Sequence, residues 1–182
     1  MQPYGLGLRA LVAVAVVLSA AKASGSLLLA LDLSELTAQA DRVVVANVVS
    51  VRSEWDASHQ RILSRIELQV EEAWKGEVAG NGRLTVVQPG GTADDLEMTV
   101  HGMPRFKVGE RNVLFLSGAT RASVVGMAQG QRALRWDSQA RRWMAHPGAH
   151  SGLIRRDGSP ASPATALPLD ELRERVRALV ER

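Results

Sequence analysis

The chain has 182 residues, a formal net charge of +3 and no cysteine. This length is enough for one domain with a substantial apolar core. The missing cysteines exclude disulfides, thiol nucleophiles, zinc–thiolate sites and cysteine-held iron–sulfur clusters, so we expect stability to come from packing alone.

The first 23 residues have the three parts of a secretory signal peptide. Arg9 supplies a positive charge, an uncharged apolar run covers Ala10–Ala21, and Ala21-Lys22-Ala23 is a small-x-small cleavage site. A retained membrane anchor is the alternative, but the run is roughly a dozen residues and a spanning helix needs about 20. We therefore expect an exported protein, periplasmic or extracellular, that is cut near Ala23 and keeps no stable membrane anchor.

Cleavage also changes which partners are plausible. The loss of Arg9 and Lys22 lowers the formal net charge from +3 to +1. No dense basic cluster remains in the body of the chain, so long-range attraction to nucleic acid is expected to be weak. We expect the partner to be an unknown protein or a small ligand, with no nucleic acid and no cofactor.

Behind the signal, the sequence divides into three predicted parts. Residues 24–155 are expected to form a β-barrel domain with a short N-terminal helix over Leu33–Ala40, capped by Ser34. Residues 156–168, rich in Pro, Ser and Ala, are predicted to be a linker. Residues 169–182 are predicted to be a C-terminal amphipathic helix, which either packs on the barrel or binds a partner. Its apolar stripe consists of Leu169, Leu172, Val176, Leu179 and Val180.

Strand signals follow one another between the two helices. Val43–Val51 is apolar on both faces, which is typical of a strand buried on both sides. Arg61–Trp74 alternates apolar and polar residues, which predicts one core face and one solvent face. Further short strands are predicted at Arg83–Gln88, Leu96–Val100, Asn112–Ser117, Ala122–Ala128, Arg132–Trp136, Arg142–Ala145 and Leu153–Ile154. About six to eight short strands, with glycines at corners such as Gly76 and Gly126, predict a mainly β fold and a small OB-like β-barrel.

His146 and His150 are the weak metal candidates. They are four residues apart, a spacing that can bind zinc when both lie on one helix. Pro147-Gly148 between them argues against a helix, so we place the pair in a loop. A hydrolase that uses these histidines is the enzymatic alternative, although the chain has no Gly-x-Ser-x-Gly nucleophile motif and no catalytic residue is assigned.

The candidate binding residues are polar or aromatic groups in predicted loops and turns. The first set is Trp55, Asp56, His101, Met103 and Arg105. The second set is Trp136 and Trp143, which flank a predicted hairpin turn with Arg135, Arg141 and Arg142 beside them. This second set is interpreted either as a basic–aromatic binding patch or as a cross-strand tryptophan pair on which the neighbouring arginines stack.

The order of motifs from residue 33 to residue 130 carries a resemblance. The motifs are Ala40-Asp41-Arg42-Val43, then Trp74-Lys75-Gly76, Pro89-Gly90-Gly91, Gly102-Met103-Pro104 and Gly109-Glu110-Arg111. Together they resemble a family of uncharacterised exported bacterial proteins, and more loosely the OB-type barrel of tissue inhibitors of metalloproteases and netrin-like modules. Those inhibitors act through an N-terminal cysteine, which this chain lacks. The resemblance therefore implies a barrel and no inhibitory or catalytic residue.

These observations predict an exported, non-catalytic binding or interaction module. Two alternatives remain open at the level of sequence. One is an inhibitor of an exported protease, and the other is a hydrolase or metal site at His146 and His150.

Overall fold

The computed structural model describes residues 28–119, 121–148 and 152–182, so the predicted signal peptide lies outside the described residues. The described chain is mainly β, with one short helix near its start and one at its C-terminal end, as predicted. The helices are α1 (Leu33–Gln39) and α2 (Leu169–Val180). The strands are β1 (Leu28–Leu29), β2 (Arg42–Trp55), β3 (Ile62–Lys75), β4 (Arg83–Pro89), β5 (Gly91–Ala93), β6 (Leu96–Met98), β7 (Arg111–Ser117), β8 (Ser123–Val124), β9 (Gln131–Asp137), β10 (Arg142–Pro147), β11 (Leu153–Ile154) and β12 (Leu167–Pro168).

Eight strands form one antiparallel sheet in the order β12-β10-β9-β7-β2-β3-β4, with β8 paired to β7. Its longest part is the β2–β3 hairpin, whose strands have 14 residues each. Two small pairs flank the sheet: β1 with β11 in parallel, and β5 with β6 in antiparallel. In the described residues the strand ladders leave this sheet open, and a single parallel bridge between Val86 and Ala122 joins β4 to the segment before β8.

The central strand β2 separates two apolar clusters. Val43 and Val45 point toward the helices, where Val113, Phe115, Leu172 and Val176 complete a core. The alternate residues of β2 point to the other face, where the second cluster contains Val44, Ala46, Val48, Ile66, Leu68, Val86, Leu114, Leu116 and Ala122. Both sets are almost fully buried. The apolar character of both faces of this segment therefore reflects burial on both sides, as predicted.

The predicted N-cap of α1 is wrong, because Asp32 and not Ser34 caps the helix. The Asp32 carboxylate accepts a hydrogen bond from the backbone N–H of Glu35 at 2.7 Å, and the Glu35 carboxylate accepts one from the backbone N–H of Asp32 at 2.9 Å. This capping box satisfies two backbone donors at once. Leu33 packs against the core from the first helical position, so the helix begins before Ser34.

Helix α2 is held on the sheet by an apolar stripe and an ion-pair cluster. Leu169, Leu172 and Val176 are buried against the sheet and α1. The Glu72 carboxylate on β3 accepts hydrogen bonds from Arg173 at 2.9 Å and Arg177 at 3.1 Å. Partial burial of Glu72 opposes its ionisation, but the Arg173 hydrogen bond and the two positive charges lower its pKa below the ordinary value.

Three predicted boundaries differ from the observed ones. Strand β2 continues through Trp55, which the sequence predicts in a turn, because the β2–β3 ladder pairs Trp55 with Ile62. The predicted strand over Ala122–Ala128 is only β8, because Gly126 adopts φ 62° and a 3-10 turn follows at Met127–Gly130. Leu167–Pro168, which the sequence predicts in the linker, forms β12 because it pairs with β10.

Neither helix in the described part of the chain is long and apolar enough to cross a lipid bilayer.

Strand β3 ends at Lys75 because the next residue, Gly76, adopts a positive φ of 71°. A side chain at this position would collide with the carbonyl oxygen of Asp41. The predicted end of the strand at Lys75-Gly76 therefore has a steric cause.

We expect Leu172→Ala to destabilise the protein because Leu172 is only 1 % exposed and its loss leaves a cavity beneath α2. The expected loss in the free energy of unfolding is about 2–5 kcal/mol, measured by urea denaturation. Val180→Ala, on the same helix at a residue that is 41 % exposed, is the control and should change it by less than about 0.5 kcal/mol. Equal effects of the two substitutions would contradict the packing of α2 on the sheet.

Candidate functional site

The far end of the β2–β3 hairpin carries a small aromatic cluster. The rings of Trp55 and His59 stack with centroids 4.7 Å apart. The indole N–H of Trp55 donates a hydrogen bond to Asp94 at 3.0 Å. Asp94 and Asp95 form the two-residue turn of the β5–β6 hairpin, both with positive φ, which fits the type I′ geometry that closes tight hairpins. We call Trp55, His59 and Asp94 the tip cluster.

Asp56 organises the loop beside the tip cluster. Its carboxylate accepts hydrogen bonds from the backbone N–H of Gln60 at 2.9 Å and from the Ser58 hydroxyl at 3.0 Å. The Arg61 guanidinium lies 3.3 Å away. The Gln60 N–H hydrogen bond, with those of Ser58 and Arg61, lowers the pKa of Asp56 to about 2. Asp56 is thus engaged within its own loop, and we assign it a structural role.

The predicted binding residues of the loop before β7 are spread along a segment that is tied to the sheet. His101 and Arg105 are exposed, and Met103 is half-buried. The backbone carbonyl of Pro104 accepts a hydrogen bond from Gln88 at 2.8 Å, and that of Arg105 accepts one from Gln131 at 2.8 Å. These contacts fix the course of the loop.

Trp136 and Trp143 form the most exposed aromatic feature of the described chain. They are directly opposite each other in the β9–β10 ladder. Their rings meet edge to face at 70°, with centroids 5.7 Å apart, within the range that aromatic pairs favour. Trp136 is 54 % exposed and Trp143 is 37 % exposed. The prediction of a cross-strand tryptophan pair is confirmed.

The cation that stacks on this pair is not one of the three predicted arginines. The guanidinium of Arg111, on β7, lies 5.0 Å from the Trp143 ring centroid, within cation–π range. Arg111 also donates to the Glu71 carboxylate at 2.7 Å, and Asn47 donates to the other Glu71 oxygen at 2.5 Å. Three strands thereby fix the position of the stacked cation. We call Trp136, Trp143 and Arg111 the tryptophan surface.

His146 lies in a strand, so the prediction that places it in a loop is wrong. It pairs with Ala133 in the β9–β10 ladder, which continues through Pro147. His146 lines an open depression of about 360 Å³ together with Asp137 and Ser138. In the described residues no hydrogen bond joins His146 to either of them; Asp137 instead accepts from the backbone N–H groups of Gln139 and Ala140. His150, the other metal candidate, lies outside the described residues.

The sequence-predicted candidates do not converge on one site. Within residues 28–119, 121–148 and 152–182, no hydrogen bond, ion pair or ring contact links the tip cluster, the loop at His101–Arg105 and the tryptophan surface. In the same residues no group of three His, Asp or Glu side chains is close enough to hold a metal ion. The described candidates therefore form separate surfaces.

Comparison with known proteins adds no information on the function of these surfaces, so their interpretation rests on their geometry. The sequence matches no protein-family profile and no curated protein at a significant level.

Sequence reasoning missed the residues that reach these sites from distant strands. Arg111 is 32 positions from Trp143 along the chain, and Glu71 is 40 positions from Arg111. No local pattern joins them, because only the strand order β10-β9-β7-β2-β3 brings Trp143, Arg111 and Glu71 together. Asp94 lies in an exposed turn, and its carboxylate accepts the Trp55 hydrogen bond across 39 positions of sequence, which no local pattern indicates.

We expect the Asp56 loop to contribute stability that depends on pH. Because the folded-state pKa of about 2 lies below the ordinary value, the contribution is present above about pH 4 and is lost as the pH falls toward 2. Asp56→Asn keeps one acceptor and removes the charge beside Arg61. The melting temperatures of wild type and variant should differ most near pH 6 and converge by pH 2. A constant difference across this range would contradict the assignment.

Proposed function

We propose that the protein is an exported, non-catalytic interaction module that binds an acidic segment of another exported protein through the tryptophan surface. The observation that carries this proposal is an exposed tryptophan pair on a rigid two-stranded ladder, with an arginine fixed over one ring. Tryptophan and arginine are the residue types most enriched among the energetic hot spots of protein interfaces.

The rigidity of this surface favours binding. Both tryptophans lie on strands and not on loops, and Arg111 is oriented by Glu71 and Asn47. A preorganised contact group loses little conformational entropy when a partner binds. The tryptophan surface is therefore preorganised for binding.

The charge around the hairpin supports an acidic partner. Arg135, Arg141 and Arg142 are exposed on the β9–β10 hairpin, and none of them forms an ion pair with another described residue. Unpaired surface cations steer and orient a partner of opposite charge. The same hairpin thus offers an aromatic contact and an unneutralised positive charge.

We further propose that β2, β3, β4, β7 and β8 form an OB-like barrel. The strand neighbours support a ring: β7-β2-β3-β4 follow in the sheet, β8 pairs with β7, and Ala122 beside β8 is bonded to β4. Val87 N–H donates to the Ala122 carbonyl at 3.0 Å, and Ala122 N–H donates to the Thr85 carbonyl at 3.2 Å. The apolar cluster around Val44, Leu68 and Val86 would fill its interior.

Binding by the tryptophan surface is tested with a fluorescently labelled random copolymer of Glu and Tyr, followed by anisotropy. We expect the mature wild-type chain to bind it, and Trp136→Ala/Trp143→Ala to weaken binding at least about tenfold, since loss of a tryptophan hot spot costs about 2 kcal/mol or more. Arg141→Glu/Arg142→Glu should weaken binding further at low salt and less at high salt.

Trp55→Ala is the matched control, because it removes an indole from the tip cluster and should leave copolymer binding unchanged. Circular dichroism establishes that each variant is folded. The proposal is wrong if the double tryptophan variant binds as wild type does, or if a labelled oligo-dT of equal length binds more tightly than the copolymer.

Export is tested by expressing the full chain in a bacterium and measuring the intact mass of the product. We expect the periplasmic or secreted protein to begin at Ser24, because signal peptidase cuts after the small residue Ala23. Ala23→Arg should block cleavage and leave the uncut chain in the membrane fraction. A wild-type product of full-length mass in the cytoplasm would contradict the proposal.

A further inference from the structure

A second surface lies on the same sheet face as the tryptophan surface, beneath α2. Arg132 on β9 pairs with Val113 in the ladder and therefore projects toward the helices, on the face that also carries Leu134 and Trp136. It lines a pocket of about 240 Å³ between the sheet, α1 and α2. Arg132 has no part in the tryptophan surface or the Glu72 cluster described above.

The walls of this pocket are mainly apolar. Leu33 comes from α1, Leu172 from α2, Leu167 from β12 and Ala145 from β10. All four residues belong to or pack against the helix-side core, and Leu172 and Ala145 are 1 % exposed. Ala164 and Thr165, from the exposed segment before β12, complete the lining.

Arg132 is a cation without a protein counter-charge in the described part of the chain. It is half-buried, and no hydrogen bond or ion pair to another described residue satisfies its guanidinium. Its burial lowers its pKa below the ordinary value. A partly desolvated guanidinium that is not paired costs stability, and an anion in the pocket would offset that cost.

We propose that this pocket binds a carboxylate attached to a small apolar group, with Arg132 receiving the carboxylate and the apolar walls receiving the rest. The volume suits a group of a few carbon atoms, since it lies below the range of pockets that enclose drug-sized ligands. A guanidinium presents two parallel N–H donors that match a carboxylate.

A second arginine at the rim fits the same ligand. Arg175 on α2 lines the pocket and pairs with Glu171 one turn earlier on the exposed side of the helix. An exposed pair of this spacing is weak, so Arg175 is able to turn toward a bound anion at little cost. The apolar walls favour a carboxylate over inorganic phosphate, which would enter without burying any apolar group.

A carboxylate attached to a small apolar group occurs in two kinds of ligand, a free short-chain acid and the C-terminal residue of a peptide. The experiment follows the backbone N–H signals of Leu167 and Leu172, which line the pocket and are present in wild type and in every variant, by ¹⁵N–¹H NMR while butyrate or N-acetyl-leucine is added. We expect a saturable shift with at least one of them, and no shift with butylamine or N-acetyl-leucine amide. Saturation with butyrate supports a free acid, and saturation with N-acetyl-leucine alone supports a chain terminus.

Variants of Arg132 distinguish recognition of the ligand's negative charge from a structural role of the Arg132 side chain. Arg132→Gln should weaken binding at least tenfold, and Arg132→Lys should weaken it less because the charge remains. Arg83→Gln, which removes an exposed arginine on β4 outside the pocket, should bind as wild type does. Without ligand, Arg132→Gln should melt at the wild-type temperature or above it, because an unpaired half-buried charge has been removed.

Four results would overturn the proposal. They are no saturable shift with either acid, equal binding by Arg132→Gln and wild type, tighter binding of inorganic phosphate than of butyrate, and a melting temperature of Arg132→Gln several degrees below wild type. The NMR titration of wild type and Arg132→Lys decides the question even where Arg132→Gln does not fold. The tryptophan surface takes no part in this binding, so the outcome of this test is independent of the outcome of the copolymer test.

Discussion

The structure depends on the burial of strand β2 on both of its faces. Successive side chains of a strand point to opposite sides, so this one segment must supply apolar residues to two cores at once. Val43 and Val45 serve the core beneath the helices, and Val44, Ala46 and Val48 serve the other. The neighbours β3 and β7 are positioned by pairing with β2, and the remaining strands follow from them. A polar residue at any of these five positions would leave an unsatisfied group inside one of the cores.

Without disulfides, α1 and α2 must be held by packing and by charge. Leu172 and Val176 bury the inner side of α2, and Glu72 binds Arg173 and Arg177 at its edge. The two helices cover only part of the sheet face on which they lie. Beyond their cover the same face carries Trp136 and Trp143, and beside α2 it carries the Arg132 pocket. Incomplete cover of one sheet face thus creates both candidate binding surfaces.

The local pattern of apolar and polar residues predicted the fold class and most helices and strands. It failed where contacts between distant segments determine the structure. The doubly apolar run at β2, the alternation of β3 and the stripe of α2 were each read from adjacent residues. The N-cap of α1 was misplaced because two capping residues were available and the packing of Leu33 selects Asp32. Trp136 and Trp143 were found because a hairpin pairs residues that are close in sequence. Arg111 and Arg132 were not found, since their surroundings come from other strands and helices, although period two does place Arg132 on the face of Leu134 and Trp136.

The tryptophan surface and the Arg132 pocket conflict in opposite ways with the tendency of apolar groups to leave water and of charged groups to stay in it. Trp136 leaves apolar area in water, whereas Arg132 takes charge out of water without a described partner. Each of these two features costs stability. Local conflicts of this kind are expected at functional positions, because a ligand supplies the missing interaction. Asp56, by contrast, has its hydrogen bonds satisfied within its own loop, which is why we assign it to the fold and not to a binding site.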